Sequence, residues 1–253
     1  RGFTIFYIGI NIGAFLSSLI VGYIGEVHGW HYGFGLAGIG MLLGQIVYMA
    51  GQKHLIEVGN LLKDTANLEE KAKYDQPLTH IEKDRIKVLL LSFLIVIVFW
   101  GAFEQAGGLM NIYTLEKTNR VIAGMTIPAS VFQSLNAASI ILLGTTVAGY
   151  WVKRSSKNKE ASSLFKMAVG TMIMGLGFLF MTGAAAQFEA NGSSAMYWLV
   201  FAYLFHTIGE LCASPVALSF ITKLAPVKYG SIMMGTYFAM TGFGNKLAGF
   251  LGE

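Results

Sequence analysis

The chain has 253 residues, of which 54% are hydrophobic and 13% charged, with a formal net charge of +4. Mean hydropathy is +0.57, which excludes an ordinary soluble domain and points to a polytopic membrane protein. A single cysteine, Cys212, excludes an internal disulfide framework and reads as a small packing residue.

A bilayer span needs ~20 apolar residues. Seven stretches meet that length, at residues 3–24, 32–50, 88–106, 131–152, 165–186, 196–221 and 232–252. The expected fold class is therefore all-α, a transmembrane helical bundle. In the first stretch Gly9, Gly13 and Ser17 fall four apart, and in the second Gly40 and Gly44 do the same. Such rows predict close helix approach. Asn11 interrupts the first stretch between Ile10 and Ile12.

Residues 53–87 form a polar, mixed-charge linker. It reads as a solvated connector, with a short amphipathic surface helix over 55–68 as the alternative. Thr79-x-x-Glu82 is a capping box that predicts a helix start leading into the third span. That span closes on Phe99-Trp100-Gly101-Ala102-Phe103-Glu104-Gln105-Ala106-Gly107. A carboxylate at lipid depth costs ~2.5–3.5 kcal/mol on insertion scales, so Glu104 reads as functional. Trp100 lies one helical turn earlier on the same face, and Gln105 faces elsewhere, toward a neighbouring helix.

The fourth span carries Gln133, Ser134 and Asn136 near its start. Like Asn11, Asn136 suits either a bond between helices or a polar substrate. Asn191-Gly192-Ser193, at an expected outer loop, is a glycosylation sequon by pattern alone. In the sixth span His206, Glu210 and Ser214 recur every fourth residue as a polar stripe, and Pro215 removes a backbone donor beside it. His206 reads either as a partner of Glu210 in proton movement or as an interhelical hydrogen-bonding group. Lys246, in the last span, is placed to snorkel outward.

Basic residues orient the chain. Lys53, Lys63, Lys71, Lys73, Lys83, Arg85 and Lys87 share one side with Lys153, Arg154, Lys157, Lys159, Lys166, Lys223 and Lys228. The other side holds Lys117 and Arg120 alone. The positive-inside rule makes the linker 53–87 cytoplasmic and the protein a multi-pass one of the plasma or inner membrane. No Walker loop, HExxH motif or metal-ligand spacing is present, and no aromatic-basic patch suggests nucleic acid. The chain therefore reads neither as an enzyme nor as a nucleic-acid binder, and it calls for no cofactor.

Several strings together resemble a known family. Phe6-Tyr7-Ile8-Gly9-Ile10-Asn11-Ile12-Gly13-Ala14 is similar to the FY-x-x-IN-x-G-[SA] signature of the proton-dependent oligopeptide transporters, within the major facilitator superfamily. Trp30-His31-Tyr32-Gly33-Phe34, Phe99-Trp100-x-x-Phe103-Glu104-Gln105, Gly209-Glu210-Leu211-x-x-Ser214-Pro215, Thr222-Lys223-Leu224-Ala225-Pro226 and Met233-Met234-Gly235-x-x-Phe238 follow in the family's order. The resemblance implies an incomplete bundle of seven spans, the fifth to eleventh helices. Residues 1–52 would close the N-terminal bundle, 53–87 would link the halves, and 88–253 would supply five helices of the C-terminal bundle.

It also implies roles. Asn11, Asn136 and Glu210 match positions that hold the amino-terminal end of a peptide. Glu104 matches an acid that pairs with a first-helix arginine in the outer gate and takes part in proton coupling. Trp100 and Ser214 match cavity-lining positions, and Tyr237 stands where the family carries tryptophan. The implied function is proton-coupled import of di- and tripeptides by alternating access, with the proton as coupling ion and no cofactor. The implied partners are peptide, protons, lipid bilayer, the N-terminal helices and a twelfth helix of the same protein. The alternatives are a related facilitator for an amino-acid conjugate or nitrate, and a non-transporting membrane receptor or scaffold.

Overall fold

The computed structural model describes residues 2–55 and 76–252. Helix α1 (Gly2–Leu16) passes through a π-helical turn, Ser17–Gly22, into α2 (Tyr23–His28). Gly29, at φ +121°, permits the reversal into α3 (Trp30–Gly51). The stretch 56–75 and the amphipathic alternative placed on it lie outside the described residues. Helix α4 (His80–Phe103) then begins at the expected box. Thr79 Oγ1 accepts from the Glu82 amide at 3.3 Å, and the Glu82 carboxylate accepts from the Thr79 amide at 2.8 Å.

A 3-10 turn, Glu104–Ala106, and the pair Gly107-Gly108 interrupt the third span before α5 (Leu109–Lys117). The sequence placed the end of that span at residue 106, whereas the apolar segment continues to Lys117. Helices α6 (Ser134–Ser155), α7 (Ser163–Asn191), α8 (Tyr197–Leu224) and α9 (Gly230–Gly252) complete the bundle. Two very short strand pairings tie the loops on the side of Lys117 and Arg120. Thr118–Asn119 pairs in parallel with Ser194–Ala195, and Val121–Ile122 forms a hairpin with Met125–Thr126.

Six described helical segments are long and apolar enough to cross a membrane. The seventh, α9, spans 23 residues; Asn245, Lys246 and its glycines make it less apolar than the others. Helix α8 is the axis of the bundle, with 56% of its apolar window buried against 6% for α3. A helix that is hydrophobic all round belongs in such a central position. Three apolar clusters surround α8. One joins Leu89, Phe93 and Val96 to Met167, Phe220, Ile221, Met233 and Tyr237. A second groups Met110 and Phe132 with Leu199, Ala202 and Tyr203, and a third joins Phe99, Met174 and Ala213.

Close helix approach occurs elsewhere than expected. Gly9, Gly13, Gly40 and Gly44 have nothing within 4 Å of where a Cβ would stand. No described helix covers the face on which these glycines lie. The tight crossings are Gly170 with Gly209, between α7 and α8, and Gly101 with Gly244, between α4 and α9. A Cβ on Gly209 would lie 2.6 Å from the Gly170 carbonyl oxygen, and one on Gly244 would lie 2.7 Å from Trp100 Cβ.

Candidate functional site

The polar stripe on α8 supplies the centre of the site. Glu210 is buried, at 8% exposure. Asn136, from α6, donates through Nδ2 to Glu210 Oε2 at 2.9 Å and to Thr207 Oγ1 at 3.1 Å. Residues 74 apart in sequence thus share one polar node. Thr207 has no exposure and donates its own hydroxyl to the Tyr203 carbonyl at 2.8 Å, so its oxygen is fixed as the acceptor for Asn136. A buried carboxylate needs such donors, because burial without them costs several kcal/mol, on the order of the penalty for an unpaired ion.

Tyr237, from α9, is buried at 3% exposure. Trp100 and Ser214 lie beside it on the same cleft wall. Trp100, Ser214 and Tyr237 line a small cleft together with Phe99, Met167 and Thr171. The cleft measures about 10 Å³, room for a water-sized group. Asn11 is buried on α1, which packs along α6, the helix that carries Asn136.

Glu104 stands at the start of the 3-10 turn, half-buried, with its amide bonded to the Trp100 carbonyl. Its side chain has no hydrogen-bond or ion-pair partner among the described residues. The turn is pinned on both sides of it. Gln105 donates to the Ala248 carbonyl on α9 at 2.9 Å, which is the interhelical role its position suggested. Tyr203, on α8, donates to the Ala106 carbonyl at 3.2 Å.

His206 makes neither expected contact. It is fully buried against Phe178, ring centroids 4.6 Å apart, and pressed on Gly177. Neither ring nitrogen has a hydrogen-bond partner among the described residues. Lys246 is exposed, with its ammonium 4.8 Å over the Phe250 ring one turn further along α9. Thr207 and Tyr203 were not singled out from sequence, although both lie on the Glu210 side of α8, one and two turns before it.

The architecture is that of a polytopic transporter bundle of the major facilitator type. Residues 1–67 and 79–252 match the PTR2 family model, described as the POT family. The chain belongs to the POT family, as a multi-pass protein of the cell membrane.

The peptide transporter YePEPT of Yersinia enterocolitica is 30% identical over 99% of this chain and 60% of its own length. A di-/tripeptide transporter of Lactococcus lactis is 28% identical over 94% of this chain and 59% of its own. A crystal structure of peptide transporter POT in complex with sulfate superposes with a TM-score of 0.78 at 29% identity, covering 97% of this chain and 60% of that one. A POT mutant in complex with alafosfalin gives 0.77 at 29% identity, over 98% and 59%. The chain therefore spans about 60% of the length of these relatives.

Proposed function

We propose that the full-length protein is a proton-coupled symporter that imports di- and tripeptides by alternating access. The observation that carries this reading is the Asn136–Glu210 node, a buried carboxylate and an amide oriented toward each other across two helices. A carboxylate with a neighbouring amide oxygen suits an ammonium group. In this reading Glu210, Asn136 and Asn11 receive the peptide amino terminus. Trp100, Ser214 and Tyr237 form the wall beside it, and the Tyr237 hydroxyl adds a polar point that a tryptophan wall would lack. The relatives named as peptide and di-/tripeptide transporters support this substrate class.

Glu104 would couple to protons at the outer gate, its cationic partner supplied by helices of the longer protein. Residues 1–52 and 88–253 would belong to opposite bundles, with residues 53–87 as the cytoplasmic link. Proton binding and peptide binding would alternate on the acids as the bundles rock about the central site.

The test is uptake of a labelled dipeptide by the full-length protein in proteoliposomes, with and without an inward proton gradient. The expected result is gradient-driven accumulation that Glu210→Gln abolishes. Uptake indifferent to the gradient would refute symport, and unchanged uptake in Glu210→Gln would remove Glu210 from the site.

A further inference from the structure

Where the helices before the linker meet those after it on the side of Lys117 and Arg120, one carboxylate gathers several hydrogen bonds. Glu26, on α2, accepts from Arg120 Nη1 at 3.3 Å and from the Ala129 amide at 2.8 Å on Oε1. Its Oε2 accepts from the Ser130 amide at 3.1 Å and the Ser130 hydroxyl at 3.0 Å. Four donors fill the acceptor capacity of a carboxylate. The donors lie 94 to 104 residues away in sequence, across the linker.

Each donor is built for this contact. Ala129 and Ser130 open the 3-10 turn Ala129–Gln133 that leads into α6, and Pro128 before them offers no side-chain cap. Their amides are the unpaired donors of a helix start, where a negative charge is favoured. Arg120 sits at the stem of the Val121–Met125 hairpin. The stem is closed by the Ile127 amide on the Arg120 carbonyl at 2.9 Å and by Arg120 Nη1 on the Ile127 carbonyl at 2.6 Å. Ala123 and Gly124, both at positive φ, turn the hairpin so that Arg120 returns toward α2. One turn before Glu26, a Cβ on Gly22 would lie 2.9 Å from both Ser130 Cβ and Oγ, so the end of the π-helical turn is pressed against this helix start.

The seam is polar. Among the described residues, none of the three apolar clusters draws a member from α1, α2 or α3. Hydrogen bonds to a charged group hold more firmly than neutral ones, yet on opening their partners can turn to water, which the atoms of a packed apolar core cannot do. The π-helical turn Ser17–Gly22 lies just before Glu26, and such turns are frequent at functional sites.

We propose that Glu26 is an outer latch. It holds the outer side closed by capping the start of α6 from across the seam, and its release accompanies outward opening. The latch rests on the alternating-access reading above for its place in a cycle, though not for its effect on the equilibrium between closed and open forms.

The test uses the full-length protein, with Cys212 replaced by Ala and spin labels at His28→Cys and Ile122→Cys, two exposed positions on either side of the seam. Electron–electron distance measurements in nanodiscs read the closed and open populations without substrate. Glu26→Ala should raise the open-to-closed ratio about tenfold, as expected for loss of hydrogen bonds to a charged group. Arg120→Ala should raise it less, because the two amides and the Ser130 hydroxyl remain, and the double variant should match Glu26→Ala alone. Should Glu26→Ala fail to assemble, Glu26→Gln, which keeps one acceptor oxygen and the side-chain volume, should give an intermediate shift. An unchanged distance distribution in the assembled variants overturns the latch. A population shift in a protein that moves no dipeptide would sink the transport reading and leave the latch standing, and wild-type uptake without a shift would do the reverse.

Discussion

Replacing Gly209 by Ala tests how the α7–α8 crossing positions Glu210. The added Cβ would stand 2.6 Å from the Gly170 carbonyl oxygen and 2.9 Å from Met174 Cβ, and the reciprocal substitution at Gly170 would stand 2.5 Å from the Gly209 carbonyl oxygen. Ordinary C···O approach is about 3.3–3.6 Å, so the two helices must separate by close to an ångström. The obstacle is backbone, and α8 is walled by core on its other faces, so it cannot yield locally. Overpacking of this kind costs about 1–3 kcal/mol, against at most about 1 kcal/mol gained from the better helix propensity of alanine.

Thermal unfolding of the purified full-length protein should show a lowered melting temperature, since 1 kcal/mol corresponds to about 2–4 °C for a 150–250-residue body and to less for a larger one. Because Glu210 is the next residue, the same shift stretches its 2.9 Å bond from Asn136, and dipeptide binding should weaken in parallel. Gly175→Ala, on the facing helix α7 but with nothing within 4 Å, is the control and should be neutral or slightly stabilising. Equal melting temperatures for Gly209→Ala, Gly175→Ala and wild type would refute the argument that this crossing is at backbone contact.

Asn136→Ala removes the donor to both Glu210 and Thr207. It should weaken dipeptide binding about tenfold, the equivalent of one charged hydrogen bond, by titration calorimetry, and an unchanged Kd would take Asn136 out of the site. Thr79→Ala breaks the capping box of α4 at a cost of about 1 kcal/mol. Hydrogen–deuterium exchange should quicken at the amides of residues 80–83 while peptide binding stays as it was; unchanged exchange there would mean that the box contributes nothing to the helix start.

Local signals carried most of the fold. The capping box depends on residues three apart, and it forms as its spacing requires. Apolar runs located six spans long and apolar enough to cross a membrane, because a lipid core leaves a helix few other compositions. Pairings across the chain were harder to read. Asn136 and Glu210 were each legible as membrane-depth polar residues, and resemblance assigned them to one end of a peptide, but spacing alone does not say that one donates to the other. Glu26 falls two residues past the expected end of the first span, where an acid is unremarked, and Arg120 read only as one of two basic residues on its side. Their meeting depends on a hairpin whose turn begins with Ala123, a residue that gives little sign of a positive φ. The glycine rows face no described helix for a related reason. Helix periodicity reports which residues share a face, and only the arrangement of the other helices decides which faces are covered.

These differences between contacts bear on how the molecule would move. After the linker, helices α4, α7, α8 and α9 share an apolar cluster and meet at backbone distance at Gly170–Gly209 and Gly101–Gly244. Packed cores of that kind are not continuously deformable and move as units. Across the seam on the outer side, Glu26 is joined to Arg120, Ala129 and Ser130 by hydrogen bonds and an ion pair. A polar interface between apolar bodies concentrates relative motion at itself. The buried Asn136–Glu210 node lies within the rigid side, so it would travel with its helices, while Asn11, on the other side of the seam, would move relative to it. A ligand held by both would thus be sensitive to the state of the latch, which ties occupancy of the proposed site to closure on the outer side.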